Sequence, residues 1–130
     1  MGQQQLLLIV LGVIIVGIAV VVGINVFTAS SMDANRNAVI SDLTNLAAMA
    51  QQYYRKPTAL AGGGNSFVGW TIPKSLETTA NGTYNNPAPT VTAQTVTLVG
   101  LGTENGKDAT NPVKATMTVK PDSISTVIDN

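Results

Sequence analysis

The 130-residue sequence contains no Cys and no His. Without Cys there is no disulfide framework, thiol nucleophile or thiolate metal ligand. Without His, the commonest general base and the commonest metal ligand are both missing. Charge is scarce, with seven basic residues against seven acidic ones, so the chain carries no basic footprint for nucleic acid. The carboxylates are scattered and accompany no nucleophile motif. No catalytic residue, metal site or cofactor is therefore expected, and the chain reads as a non-enzyme. Only six aromatic residues are present (one Trp, three Tyr, two Phe), and Tyr53, Tyr54 and Trp70 read as packing residues rather than a ligand platform.

What is there is unevenly distributed. No charged residue precedes Asp33, and Leu6 to Ile24 consists only of Leu, Ile, Val, Ala and Gly. At about 1.5 Å per residue this run covers roughly 28 Å as a helix, the thickness of a bilayer hydrocarbon core. A cleaved secretory signal would carry a basic start and a shorter apolar stretch. Met1-Gly2-Gln3-Gln4-Gln5 has no basic residue, and no flanking Lys or Arg of an ordinary anchor occurs before Arg36.

The helical signal continues past Ile24. From Phe27 to Tyr54 there is no Gly or Pro, and apolar residues recur at Val39, Leu43, Leu46, Ala50 and Tyr53, the spacing of one helical face. Arg55 and Lys56 complement the helix dipole, and Pro57 ends the helix. One helix of about 80 Å is expected, apolar all round over residues 1–26 and amphipathic over 27–56. Residues 57–66, rich in Gly, read as a flexible loop rather than a phosphate cradle, because they do not join a strand to a helix.

From residue 67 to 130 the pattern is β. Candidate strands are Phe67 to Ile72, Thr90 to Val99, Val113 to Lys120 and Ser123 to Ile128; Asn81-Gly82 and Asn105-Gly106 read as hairpin turns. Val113, Ala115, Met117 and Val119 alternate with polar residues, as in a strand with one buried face. Four or five short strands are marginal alone, so the face at Val39, Leu43, Leu46 and Ala50 is expected to cover the sheet. The expected fold is α+β: a long N-terminal helix with an apolar stalk and an amphipathic half, packed on a small antiparallel β-sheet of four to five strands. Glu104, Asn105 and Asp108 offer oxygen donors for Ca²⁺, but their spacing matches no EF-hand and a solvated loop is the simpler reading. Asn81-Gly82-Thr83 is an N-glycosylation sequon.

An apolar N-terminal helix running into an amphipathic half over a small antiparallel sheet resembles the type IV pilin family. Met1 to Val10 fits the family's frame of an initial methylated apolar residue, a short polar stretch and a Leu/Ile/Val run, with Met1 as the processed and methylated residue. The resemblance implies a major pilin: a structural subunit polymerising through its apolar helix into a helical extracellular filament, or fimbrium, for adhesion or motility. It implies insertion in the cytoplasmic membrane before assembly. It also implies partners: further copies of the chain, inner-membrane lipid, the prepilin peptidase and the pilus assembly machinery. Three departures stand out. Gln5 sits where most such pilins carry Glu, Val22 sits where many carry a helix-breaking Pro, and there is no C-terminal disulfide loop. Archaeal pilins share the first two features and often begin with Gln, as this chain would from Gln3. Gln3, Gln4, Gln5, Gly12, Gly17 and Gly23 are the expected assembly positions; Ala19 adds a further small one. The three Gln residues equally suit a lipid headgroup region. Without Pro, any melting between Gly12 and Gly23 should be short or absent. A pseudopilin of a type II-like secretion system and a membrane-anchored binding domain are the alternative readings.

Overall fold

This computed structural model describes residues 2–130. Met1, the expected processing site, lies outside them. The chain forms two compact units, one ending at Ser31 and the other spanning Met32–Asn130. One uninterrupted helix, α1 (Gly2–Arg55), contributes to both. It runs without a break through Gly12, Gly17 and Gly23, as expected for glycines that each weaken a helix by only about 1 kcal/mol.

In the second unit the fold is α+β, with α1 packed on an antiparallel sheet. Six strands occur: β1 (Thr78–Thr79), β2 (Gly82–Thr83), β3 (Thr90–Val91), β4 (Val96–Asn105), β5 (Pro112–Val119) and β6 (Ile124–Ile128). Their order is β1-β2-β4-β5-β6, with β3 also pairing β4. A one-turn helix, α2 (Lys74–Glu77), precedes β1.

The amphipathic stripe does the packing. Val39, Leu43, Leu46, Ala47 and Ala50 are buried against Val96, Leu98, Ala115, Met117 and Val119 of β4 and β5, with Phe67, Trp70, Ile72 and Tyr84 closing the core. Burying each large aliphatic side chain contributes about 1.5–3 kcal/mol before conformational entropy is counted. Tyr53 is half-buried against the same core, but its hydroxyl donates to Val68 O at 2.9 Å, so it secures the 63–69 loop rather than a strand. The helix lies close against the sheet at Gly100. A Cβ there would lie 2.7 Å from Val39 Cγ1 and 3.1 Å from Leu43 Cδ1.

Several local expectations are corrected. Phe67 to Ile72 is not a strand. Gly69 takes φ +92°, a region L side chains rarely adopt, and Trp70 N bonds back to Phe67 O at 3.0 Å, so the segment folds inward as a turn. Thr90 to Val99 is two strands, split where Thr92 Oγ1 accepts from Thr95 N at 3.0 Å and donates to Thr95 O at 3.2 Å. The first hairpin turns at Ala80-Asn81, not Asn81-Gly82. Thr79 pairs with Gly82, and Gly82 is held in the ladder opposite Gly102. The second hairpin turns over residues 106–111, with Ala109 rather than Gly106 at positive φ.

The Gly-rich loop is a helix cap. The N–H groups of Gly63, Gly64 and Asn65 donate to the carbonyls of Tyr53, Lys56 and Tyr54 at 2.7, 2.9 and 2.7 Å. These are the acceptors a helix end leaves orphaned. Arg55 Nη2 and Gln51 Nε2 donate to Pro121 O and Lys120 O, tying the same end of α1 to the β5–β6 turn. Gly100→Val, which drives a branched side chain into Val39 and Leu43, is expected to destabilise the protein by about 1–3 kcal/mol. Urea unfolding of the full chain in micelles measures it.

Candidate functional site

Two features separate themselves from ordinary packing: an uncovered apolar helix surface in the first unit and a polar clamp in the second. From Leu6 to Phe27 every Leu, Ile, Val and Phe is more than half exposed. By length and composition this helix is able to cross a membrane. An unbroken helix also fixes which small residues share a face. At about 100° per residue, Gln5, Gly12, Ala19 and Gly23 fall within about 40° of one another. Gly17 lies about 140° from Gly12, Gln3 is on the opposite side and Gln4 is on the flank. The six expected assembly positions therefore do not form one surface. Gln5, Gly12 and Gly23 do, with Ala19 between them. Side chains added at Gly12, Gly17 or Gly23 would meet nothing within 4 Å.

The clamp is built from the polar residues flanking the buried stripe. Asn35, only 8% exposed, lies one turn before Val39. Its Oδ1 accepts from Thr103 N at 3.1 Å and Glu104 N at 3.2 Å. Its Nδ2 donates to Asn81 O at 2.9 Å and Thr103 Oγ1 at 3.2 Å. The reason lies in the sheet. The β4–β5 register shifts between Leu101 and Asn105, a bulge that interrupts the ladder, and Asn35 supplies the acceptor for two N–H groups there. Gly102 leaves the room for it, since a Cβ would collide with Asn35 Oδ1.

Two turns along, Asp42 Oδ2 accepts from Tyr84 Oη, from Thr79 Oγ1 at 2.9 Å and from Asn81 Nδ2 at 3.2 Å. Asn35 and Asp42 thus hold the β1–β2 hairpin to α1. Partial burial opposes ionisation of Asp42, but hydrogen bonds from Tyr84, Asn81 and Thr79 outweigh it and hold the carboxyl below its usual 3.8. Burial, followed by the Asp42 acceptor, pushes the Tyr84 phenol well above its usual 10.0. Sequence reasoning passed over all three residues. The available signal was that Asn35 and Asp42 continue the helical stripe of Val39 and Leu46.

The remaining expected positions are placed as follows. The amide nitrogen of Asn81 that would carry a glycan is the one donating to Asp42. Asp108 accepts from Thr110 N, Asn111 N, Asn111 Nδ2 and Asn130 Nδ2, bonds that hold its carboxyl far below the usual range. Its oxygens organise the 106–111 loop, and no cluster of three or more potential metal ligands occurs among the described residues. Arg36 pairs with Asp33 at 3.3 Å, while its Nε and Nη2 are buried without a partner; nothing in the structure explains this. No family model matches the chain, and no curated protein or solved structure is significantly similar to it.

Asp42→Ala is expected to cost about 1–3 kcal/mol, because the buried Tyr84 hydroxyl loses its acceptor. The ionised carboxylate stabilises the fold fully above pH 3.8 and progressively less as pH falls through its lower native value. Urea midpoints of the two proteins should therefore differ near neutrality and draw together in strong acid.

Proposed function

We propose that this chain is a structural subunit of the type IV pilin kind. It polymerises through its apolar N-terminal helix into a helical filament at the cell surface, after residence in the cytoplasmic membrane. The observation that carries the reading is the exposed apolar surface from Leu6 to Phe27, interrupted only by Asn25, which no described residue of its own unit covers. Such a surface requires lipid or identical neighbours. Exchanging one for the other costs little, because lipid tails and packed Leu or Val side chains are similarly apolar; association then depends on close packing at small residues. The stripe of Gln5, Gly12, Ala19 and Gly23 is the face on which neighbours approach most closely. Gln5 brings an amide that needs a partner there, since a buried unpaired amide costs about 1–3 kcal/mol. Contacts that do not close into a ring generate a helical polymer. Adhesion or motility is the role such a filament serves.

The test is negative-stain microscopy of sheared surface material from cells expressing the full chain with a pilus assembly system, together with intact mass of the subunit. Filaments containing the chain are expected, with a mass that defines Met1 processing and methylation. A chain that stays in the membrane fraction as a monomer overturns the reading in favour of an anchored binding domain. Gly12→Leu and Ala19→Leu should lower filament yield by about tenfold, the effect of losing about 1.4 kcal/mol at one contact. Gly17→Leu, on another face, should leave yield closer to the parent. Equal losses from all three would remove the stripe as the close-approach face.

A further inference from the structure

The second unit carries a cavity that neither the assembly reading nor the polar clamp uses. It has a volume of about 220 Å³ and lies between the turn at Trp70–Ile72, the end of α2 and the loop leading to β3. That is smaller than the roughly 300–1,000 Å³ of sites for drug-sized ligands, so a nucleotide or large cofactor does not fit, whereas a single six-membered ring does.

Its lining combines apolar walls with a few fixed polar groups. Ile72, Pro89 and Val91 supply the apolar surface. Trp70 is 93% buried, yet its indole N–H makes no hydrogen bond within the chain and is not among the fully enclosed unpaired atoms. The N–H therefore meets solvent and is free to donate to a group outside the protein. Glu77 is the one charged residue of the lining. Its Oε1 accepts from Asn85 Nδ2 at 3.1 Å, which leaves Oε2 and the Asn85 carbonyl oxygen as free acceptors. The frame is fixed by the backbone: Trp70 N donates to Phe67 O at 3.0 Å and Tyr84 N to Glu77 O at 2.9 Å.

We propose that this cavity binds one neutral sugar ring. A hydroxyl is both donor and acceptor, so adjacent ring hydroxyls satisfy the Trp70 N–H and the Glu77 carboxylate together. The C–H face of the ring lies against Ile72, Pro89 and Val91. Glu77 makes no ion pair among the described residues, and its carboxylate disfavours phosphates and acidic sugars. This site is independent of filament formation, and either proposal stands if the other fails.

The experiment uses the full chain in zwitterionic micelles, because a sugar-headed detergent would compete for the cavity. Glucose, galactose and N-acetylglucosamine are titrated by saturation-transfer NMR. Fluorescence of Trp70, the only tryptophan, is followed in parallel. At least one sugar should bind saturably at about millimolar concentration. Trp70→Phe keeps a ring but removes the donor, and Glu77→Gln removes the charge; each should weaken binding by about tenfold. If Trp70→Phe fails to fold by circular dichroism, Glu77→Gln at its half-exposed position carries the test. The proposal is overturned if no sugar saturates, if Glu77→Gln binds as tightly as the parent, or if methylammonium saturates the site where the sugars do not.

Discussion

Aliphatic surface left in water is unfavourable by about 25 cal/mol for each Å², and the first unit of this protein leaves one side chain after another in that condition. From Leu6 to Phe27, Asn25 is the one polar side chain, too little to make a face for solvent. The constraint governs the rest. Such a surface favours an apolar environment, and the second unit builds its core from its own residues. The second unit does so with one stripe of α1, from Asn35 to Ala50, and the inner face of β4 and β5.

The sheet and the stripe depend on each other through a few small or polar positions. Gly100 admits the helix close to β4, and Gly102 admits the Asn35 amide to the bulge. Asn35 replaces ladder hydrogen bonds that the shifted register cannot make for itself, and Asp42 gathers the side chains of Thr79, Asn81 and Tyr84 around the short β1–β2 hairpin. Unlike a core of side chains alone, this arrangement fixes the rotation of α1 about its axis. Each clamp residue has a specific partner on the β1–β2 hairpin or β4.

The parts legible in the sequence were those with a local period. The four-three-four spacing of Val39, Leu43, Leu46 and Ala50 and the strict alternation through Val113 to Val119 each declare an element and its buried face. Turn chemistry was less reliable, because a long-range demand overrode it. Asn81-Gly82 has the composition of a tight turn, but Gly82 is needed in the ladder opposite Gly102, which moves the turn back by one residue. Thr90 to Val99 reads as one strand because nothing in its composition shows that Thr92 and Thr95 bond to each other. The polar clamp was least legible. Asp42 meets Tyr84 forty-two positions away, and Asn35 meets Thr103 sixty-eight away, so no window of sequence contains both partners. The Gly-rich loop similarly showed its composition but not its destination, the carbonyls at the end of α1.

The last strand has an outcome of its own. All five residues of β6 are exposed, and its outer backbone groups have no neighbouring strand within the sheet. Ile124, Val127 and Ile128 make that border adhesive in the way amyloid-forming borders are. The sequence confines the hazard rather than removing it. Pro121 and Asp122 stand before the strand and Asp129 directly after it, so a stray chain zipping along this border meets a missing donor and a negative charge at one end and another negative charge at the other. The exposed template is thereby held to five residues, fewer than the six or seven typical of segments that stack into cross-β structure.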